Sequence, residues 1–243
     1  MEIDRTVVIG DIHGCLNEFQ ELLDLVDYKS PHVRVILVGD LIDRGYYSQQ
    51  CIKLARELGL EAVLANHELK FLKWYRSQGS RMDNTYHKLP HYTQFSDEDI
   101  NYISQMPLYI KLPELNTIVI HAGVRPGVSI ENQRKEDLCY LRYVDANQKF
   151  VSLKKIKAAG GKPEALGPKF WTEFGPFGMG DIIYGHSVWK EPRIDQFEDG
   201  SKCIGIDLGC CFGGTLCGYI IETGEFVQVK AKQVYYKPDY EIT

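Results

Sequence analysis

No apolar run in this sequence approaches the roughly 18 to 20 residues that a transmembrane helix needs, so no membrane partner is expected. The opening MEIDRTVVIG lacks a cationic stretch followed by an apolar core, so no secretory signal is expected either. Positive charge is in deficit. The 28 Lys and Arg stand against 33 Asp and Glu, a formal net charge of -5, which provides no overall basic field for extended nucleic acid. Cysteine is present without a pairing pattern: seven residues, an odd number, do not form a disulfide framework in a chain of this length, and a reduced cytoplasmic setting is expected. Cys203, Cys210, Cys211 and Cys217 cluster late without C-x-x-C spacing, so buried thiols are expected there in place of a zinc site. No repeat, low-complexity tract or linker marks a boundary. A single domain spanning residues 1–243 follows, long enough for a sizeable core.

What the chain does contain is short runs of Val and Ile. TVVI (6–9), VRVILV (33–38), AVLA (62–65), TIVI (117–120), DIIY (181–184) and CIGI (203–206) are four to six residues long, which favours buried strands over helices. Helical patterns separate the early ones. In CLNEFQELLDLVD the residues Leu16, Phe19, Leu22, Leu23 and Val26 fall on one face. SQQCIKLAREL begins at a cap-type Ser48 and stops before Gly59, and HELKFLKWYR continues the alternation. Strand-helix-strand order predicts an α/β sheet with a parallel part. TLCGYIIETGEFVQVK reads as a hairpin around Thr223-Gly224. Two excursions interrupt the order, at about 78–112, with a short helix after Ser96, and at about 124–180.

Polar residues collect at the carboxyl ends of the apolar runs. VVIGDIHG ends in Asp11 and His13, VILVGDLIDRG in Asp40, Asp43 and Arg44, and AVLANHE in Asn66, His67 and Glu68. TIVIHAG ends in His121 and IIYGHS in His186. In an open α/β sheet these ends share one edge, where ligands bind. Taken singly, Asp11 and Asp40 could cap helices and Asn66 could be a turn residue. Pooled, Asp11, His13, Asp40, Asn66, His121 and His186 form a mixed oxygen and nitrogen set, too large for one tetrahedral zinc and suited to two first-row divalent ions. Asp40 is the natural bridge. Two such ions about 3.5 to 4 Å apart activate a shared water and neutralise phosphate oxygens, the chemistry of a hydrolase of phosphoric esters or anhydrides.

GDIHG, GDLIDRG, NHE, HAG and GHS, in this order over about Val7 to Gly218, resemble the calcineurin-like metallophosphoesterase family. Within it they resemble the branch of phosphoprotein phosphatases and symmetrical dinucleoside tetraphosphate hydrolases. GIDLGCCFGGTL and DLCYLRYV are also similar to that branch. The resemblance implies a four-layer sandwich, two mixed β-sheets packed together and flanked by helices. It implies that Asp11, His13 and Asp40 hold a first metal, and Asp40, Asn66, His121 and His186 a second. His67 would protonate the leaving oxygen, with Asp43 orienting it and raising its basicity. Arg44 and Arg142 would clamp phosphate oxygens, and a metal-bridging hydroxide would attack phosphorus directly. Manganese, iron and zinc all suit the ligands, with manganese the choice for assay. In one departure, Ala65 stands where the family usually has Gly before the Asn-His pair, which questions the local turn.

The remaining candidates are weaker in pattern. Arg125, just after HAG, is a further substrate contact or a plain loop arginine. Trp74, Trp171 and Trp189 are packing residues by default, although Phe170 and Trp171 could stack on a nucleobase. Tyr86, His87, His91 and Tyr92 either line an entrance or decorate a loop, the latter favoured. The expected substrate is a phosphorylated small molecule, a nucleotide or a phosphoprotein. The alternatives are a phosphodiesterase or RNA-end phosphatase, and a catalytically silent member that binds a nucleotide or a partner.

Overall fold

The Val- and Ile-rich runs form strands that alternate sides residue by residue, as the two-residue period of a strand demands. The computed structural model describes residues 3–77, 90–158, 167–175 and 177–237. In the first sheet β1 (Arg5–Ile9), β2 (Val33–Leu37) and β3 (Glu61–Ala62) run parallel. The other edge carries β12 (Thr215–Ile220), antiparallel to β1, and β13 (Glu225–Lys230), giving the order β13-β12-β1-β2-β3. In the second sheet β5 (Thr117–Ile120), β9 (Asp181–Tyr184) and β11 (Lys202–Gly205) are the parallel trio. The antiparallel β4 (Tyr109–Leu112) and β10 (Arg193–Gln196) flank it.

Alternation sorts the apolar residues into three cores. Val7, Ile9, Val35 and Leu37 face the helices α1 (Leu16–Leu25), α2 (Ser48–Glu57) and α3 (Asn66–Arg76). Val8 and Ile36 turn the other way and meet Val119, Ile183 and Ile204 of the second sheet. Ile118, Ile120, Ile182 and Tyr184 pack outward on α5 (Lys135–Tyr140), Phe170 and Trp171. Each such buried aliphatic contributes about 1.5–3 kcal/mol of transfer free energy. Two mixed sheets face to face with helices outside are the expected four layers.

Several local expectations change. AVLA contributes only Ala62 to a two-residue strand, Glu61–Ala62, and Val63 to Ala65 lead on to α3. Ser48 does not cap α2: it is the first helical residue, and its Oγ accepts the Asp43 N–H at 2.9 Å. The excursion at 78–112 returns to the sheet, since its last residues are β4. Its short helix, α4 (Asp97–Gln105), is capped by Ser96, whose side chain accepts the Asp99 N–H while Asp99 accepts the Ser96 N–H. The 124–180 excursion holds α5, the helix α6 (Leu153–Ala158) and a small sheet of β6 (Tyr143–Val144), β7 (Phe150–Val151) and β8 (Lys169–Phe170). Phe170 and Trp171 are 4% and 0% exposed, so they are core residues and no stacking platform. Tyr86 and His87 lie outside the described residues.

Candidate metal centre

Every parallel strand delivers a polar residue at its carboxyl end, and the two trios deliver theirs to one seam. Asp11 and His13 follow β1, Asp40 follows β2, and Asn66 and His67 open α3 beyond β3. His121 follows β5 and His186 follows β9. The backbone is bent to do this. Among the described residues eight non-glycine residues have positive φ, and His13, Asp40, Asp43, Arg44 and His186 are five of them. Each costs on the order of 1 kcal/mol or more, a strain that persists only where surrounding bonds impose it.

Those bonds are visible. The His13 N–H donates to the Asp40 carbonyl at 2.8 Å, joining the two strand-end loops. Glu68, fully buried on α3, accepts the N–H groups of Asp40, Leu41 and Ile42 at 3.0, 2.8 and 3.3 Å. Burial and the Asp40 charge push its carboxyl up, to about 8, against those bonds. Asp40 in turn accepts the His67 N–H at 3.1 Å, standing in for the side-chain cap that Ala65 cannot provide to α3. Gly185 brings the second sheet in: a Cβ there would fall 2.0 Å from Asp11 Oδ1, and the bare backbone lets the His186 N–H reach both Asp11 oxygens at 3.1 Å.

Two groups of donor atoms lie within 4.8 Å of one another, His13 with Asp40 and His67, and Asp40 with His121 and His186. Asp40 is common to both. Asp11 belongs to neither trio and lies 4.0 Å from His13 Nε2. His13 Nδ1 donates to the Ile42 carbonyl and His121 Nδ1 to the Val38 carbonyl, each at 2.8 Å, which leaves both Nε2 atoms as lone pairs. Burial depresses the basicity of His13, His121 and His186. Around His121 Nε2 stand Asn66 Oδ1 at 2.8 Å, His186 Nδ1 at 3.1 Å and Asp40 Oδ1 at 3.6 Å. Oxygen and nitrogen donors gathered this closely are an arrangement that can hold a cation. His186 Nε2 is buried without a hydrogen-bond partner among the described residues.

Charge points the same way. Burial opposes ionisation of Asp40, but His121, His67, His13 and Arg44 outweigh it and hold its carboxyl well below the usual range. Asp11 is pushed up by burial, then by Asp207 and Asp40. Asp207 is the residue the strand-end reading passed over. It follows β11, the sixth parallel strand, is 3% exposed, and has one oxygen on the Gly209 N–H at 2.9 Å and the other buried without a hydrogen-bond partner among the described residues. The CIGID run carried the signal: Asp at the end of an apolar run.

His67 stands at the mouth, its side chain 12% exposed, donating from Nδ1 to Asp43 Oδ2 at 2.5 Å, with Nε2 3.9 Å from Asp40. Asp43 also accepts from His91 Nε2 at 2.7 Å and Tyr92 OH at 3.1 Å. His91 and Tyr92 are therefore no loop decoration; they lock the Asp43 carboxylate. Burial alone would raise Asp43, yet bonds from His67 and His91 and the Lys70 charge hold it far below the ordinary carboxylate range. Arg44 donates to His13 Nε2 at 2.7 Å and lies over the Phe212 ring at 5.0 Å. Arg142 donates to the His186 carbonyl at 2.5 Å. Arg125 is not brought in: it pairs with Asp137 at 3.0 Å.

A family model described as calcineurin-like phosphoesterase matches residues 4–190. A protein of Oceanobacillus iheyensis named bis(5'-nucleosyl)-tetraphosphatase PrpE, asymmetrical, is 32% identical over 96% of this chain and 94% of its own. One of Aggregatibacter actinomycetemcomitans named bis(5'-nucleosyl)-tetraphosphatase, symmetrical, is 29% identical over 87% of this chain and 91% of its own. A crystal structure provisionally named a diadenosine tetraphosphatase superposes with a TM-score of 0.76 at 25% identity, covering 93% of both chains.

Proposed function

This chain belongs to the calcineurin-like phosphoesterase family, and from that premise we propose that it is a two-metal hydrolase of dinucleoside polyphosphates. The observation that carries the reading is the Asp-His-Asn cluster around Asp40 with the Asp43-His67 pair at its mouth. Asp11, His13 and Asp40 would hold one divalent cation, and Asp40, Asn66, His121 and His186 the other. Bound there, two such ions supply Lewis acidity and a water of lowered pKa, and manganese, iron or zinc suits the donors.

The chain's own groups do the rest. Asp43 keeps the His67 proton on Nδ1 and so directs Nε2 at the cluster, where it can hand a second proton to the departing phosphate oxygen. Arg44 and Arg142 sit beside the metal-ligand histidines and bring guanidinium donors for phosphate oxygens. The nucleotide substrate is supported by the relatives, which match over most of their length and carry tetraphosphatase names. Those names divide between asymmetrical and symmetrical cleavage, so the products decide. A cytoplasmic setting is supported by seven free, buried thiols.

Incubation of manganese-loaded protein with diadenosine tetraphosphate, a phosphoserine peptide and an aryl phosphate tests this. Turnover is expected to favour the dinucleotide, giving two ADP or else ATP and AMP. Preference for the peptide would move the protein to the phosphoprotein phosphatases, and failure on all three would end the enzyme reading.

A further inference from the structure

One of the late cysteines, Cys210, lies far from Cys15 in sequence and meets it in space. Cys15 precedes α1, Glu18 lies one turn on, and Cys210 opens the short turn Cys210–Phe212. The C-x-x-E spacing at a helix start puts Sγ and the carboxylate on one face. The Cys15 and Cys210 sulfurs and a Glu18 oxygen lie within 4.8 Å of one another, all three residues buried. Tetrahedral zinc with thiolate ligands spaces its donor atoms roughly 3.5 to 3.8 Å apart, within reach of small side-chain movements.

Glu18 is the unusual member. It is 0% exposed on the apolar face of α1, and among the described residues it makes no ion pair. Among the described residues its oxygens accept from the Lys232 N–H at 2.7 Å and from Tyr235 OH at 2.9 Å. A buried carboxylate without an ion pair is costly in such a place, and a bound cation would offset that cost. Two thiols beside it supply soft donors, and the centre around Asp40 has none.

We propose that Cys15, Glu18 and Cys210 form a second, buried site for a thiophilic divalent cation such as zinc, separate from the Asp-His centre. Binding releases the two thiol protons to solvent, and the ion takes two thiolates and one carboxylate. Such an ion joins the loop bearing His13 to the turn whose Phe212 lies under Arg44. It also anchors the carboxyl-terminal strap, whose Tyr235 and Tyr236 N–H groups both donate to the Cys211 carbonyl.

Full-length protein produced in cobalt-supplemented medium tests it without any substrate. Sulfur-to-cobalt charge-transfer absorption in the near ultraviolet is expected in the parent and in Asp40→Asn, and is lost in Cys15→Ser and Cys210→Ser. Metal content by atomic spectroscopy should fall in each serine variant by one ion per chain. Cobalt-loaded parent protein without that absorption overturns the proposal even if the variants do not fold, and so does a Cys15–Cys210 disulfide found by mass spectrometry. A hydrolase reading that failed would leave the absorption unchanged.

Discussion

Asp43 gathers more partners than any ligand of the proposed metals. It accepts from His67, His91 and Tyr92, and its own N–H is held by Ser48. Replacing it with Asn removes the charge and offers His67 a donor or a weaker acceptor. Asp43→Asn is expected to lower kcat about 10²- to 10⁴-fold on diadenosine tetraphosphate while KM changes little. Its effect on stability has a sign. The folded carboxyl titrates below its unfolded value, so its contribution is complete above about pH 4 and is lost as pH falls toward the folded value. Urea midpoints measured in chelator should therefore fall more steeply from about pH 5 to pH 3 in the parent than in the Asn variant. Equal slopes would show that the ion and hydrogen-bond network around Asp43 is not what protects the fold in acid.

At the scale of elements, the entry to α3 settles the Ala65 question. Ala65 sits at φ -105 and ψ 175, extended backbone open to any residue, so a glycine is not required there. The conformational demand falls on Gly39 across the turn, at φ +90, where a Cβ would lie 2.5 Å from that of Ala65. Ala65→Gly is expected to leave activity unchanged and to lower stability by about 0.5–1 kcal/mol through unfolded-chain entropy. A urea-unfolding series reads this, and a gain in stability would mean that the Ala65 methyl is strained against its neighbours. The same entry explains Glu68. It belongs to NHE, next to His67, and its pattern marked it only as polar. Its work, three backbone N–H bonds to the loop after β2, depends on where α3 packs.

For the whole molecule, the proposed donors come from both sheets: Asp11, His13, Asp40 and Asn66 from one, His121 and His186 from the other. A cation held between them therefore stabilises the joint. With manganese at about 1,000 times its Kd, one site adds about 4 kcal/mol. Thermal unfolding should shift upward with manganese and back with chelator in the parent, and the shift should shrink sharply in Asp40→Asn. An equal shift in both proteins would remove Asp40 from the centre.

Strand identity, helix faces and the strand-end residues proposed as donors were legible in the sequence, because period and residue type are local properties that each short segment carries by itself. The ends of VVIG, VILVG and TIVI announced Asp11, Asp40 and His121 before any contact was known. Contacts over long sequence separations were not legible. His91 and Tyr92 bind Asp43 from an excursion, Arg125 turns to Asp137, and Cys210 reaches Cys15 and Glu18 across most of the chain. Which atoms converge depends on how two sheets stack and which loops cross the seam. Local chemistry determined what the rim could bind, and packing alone decided which side chains stand on it.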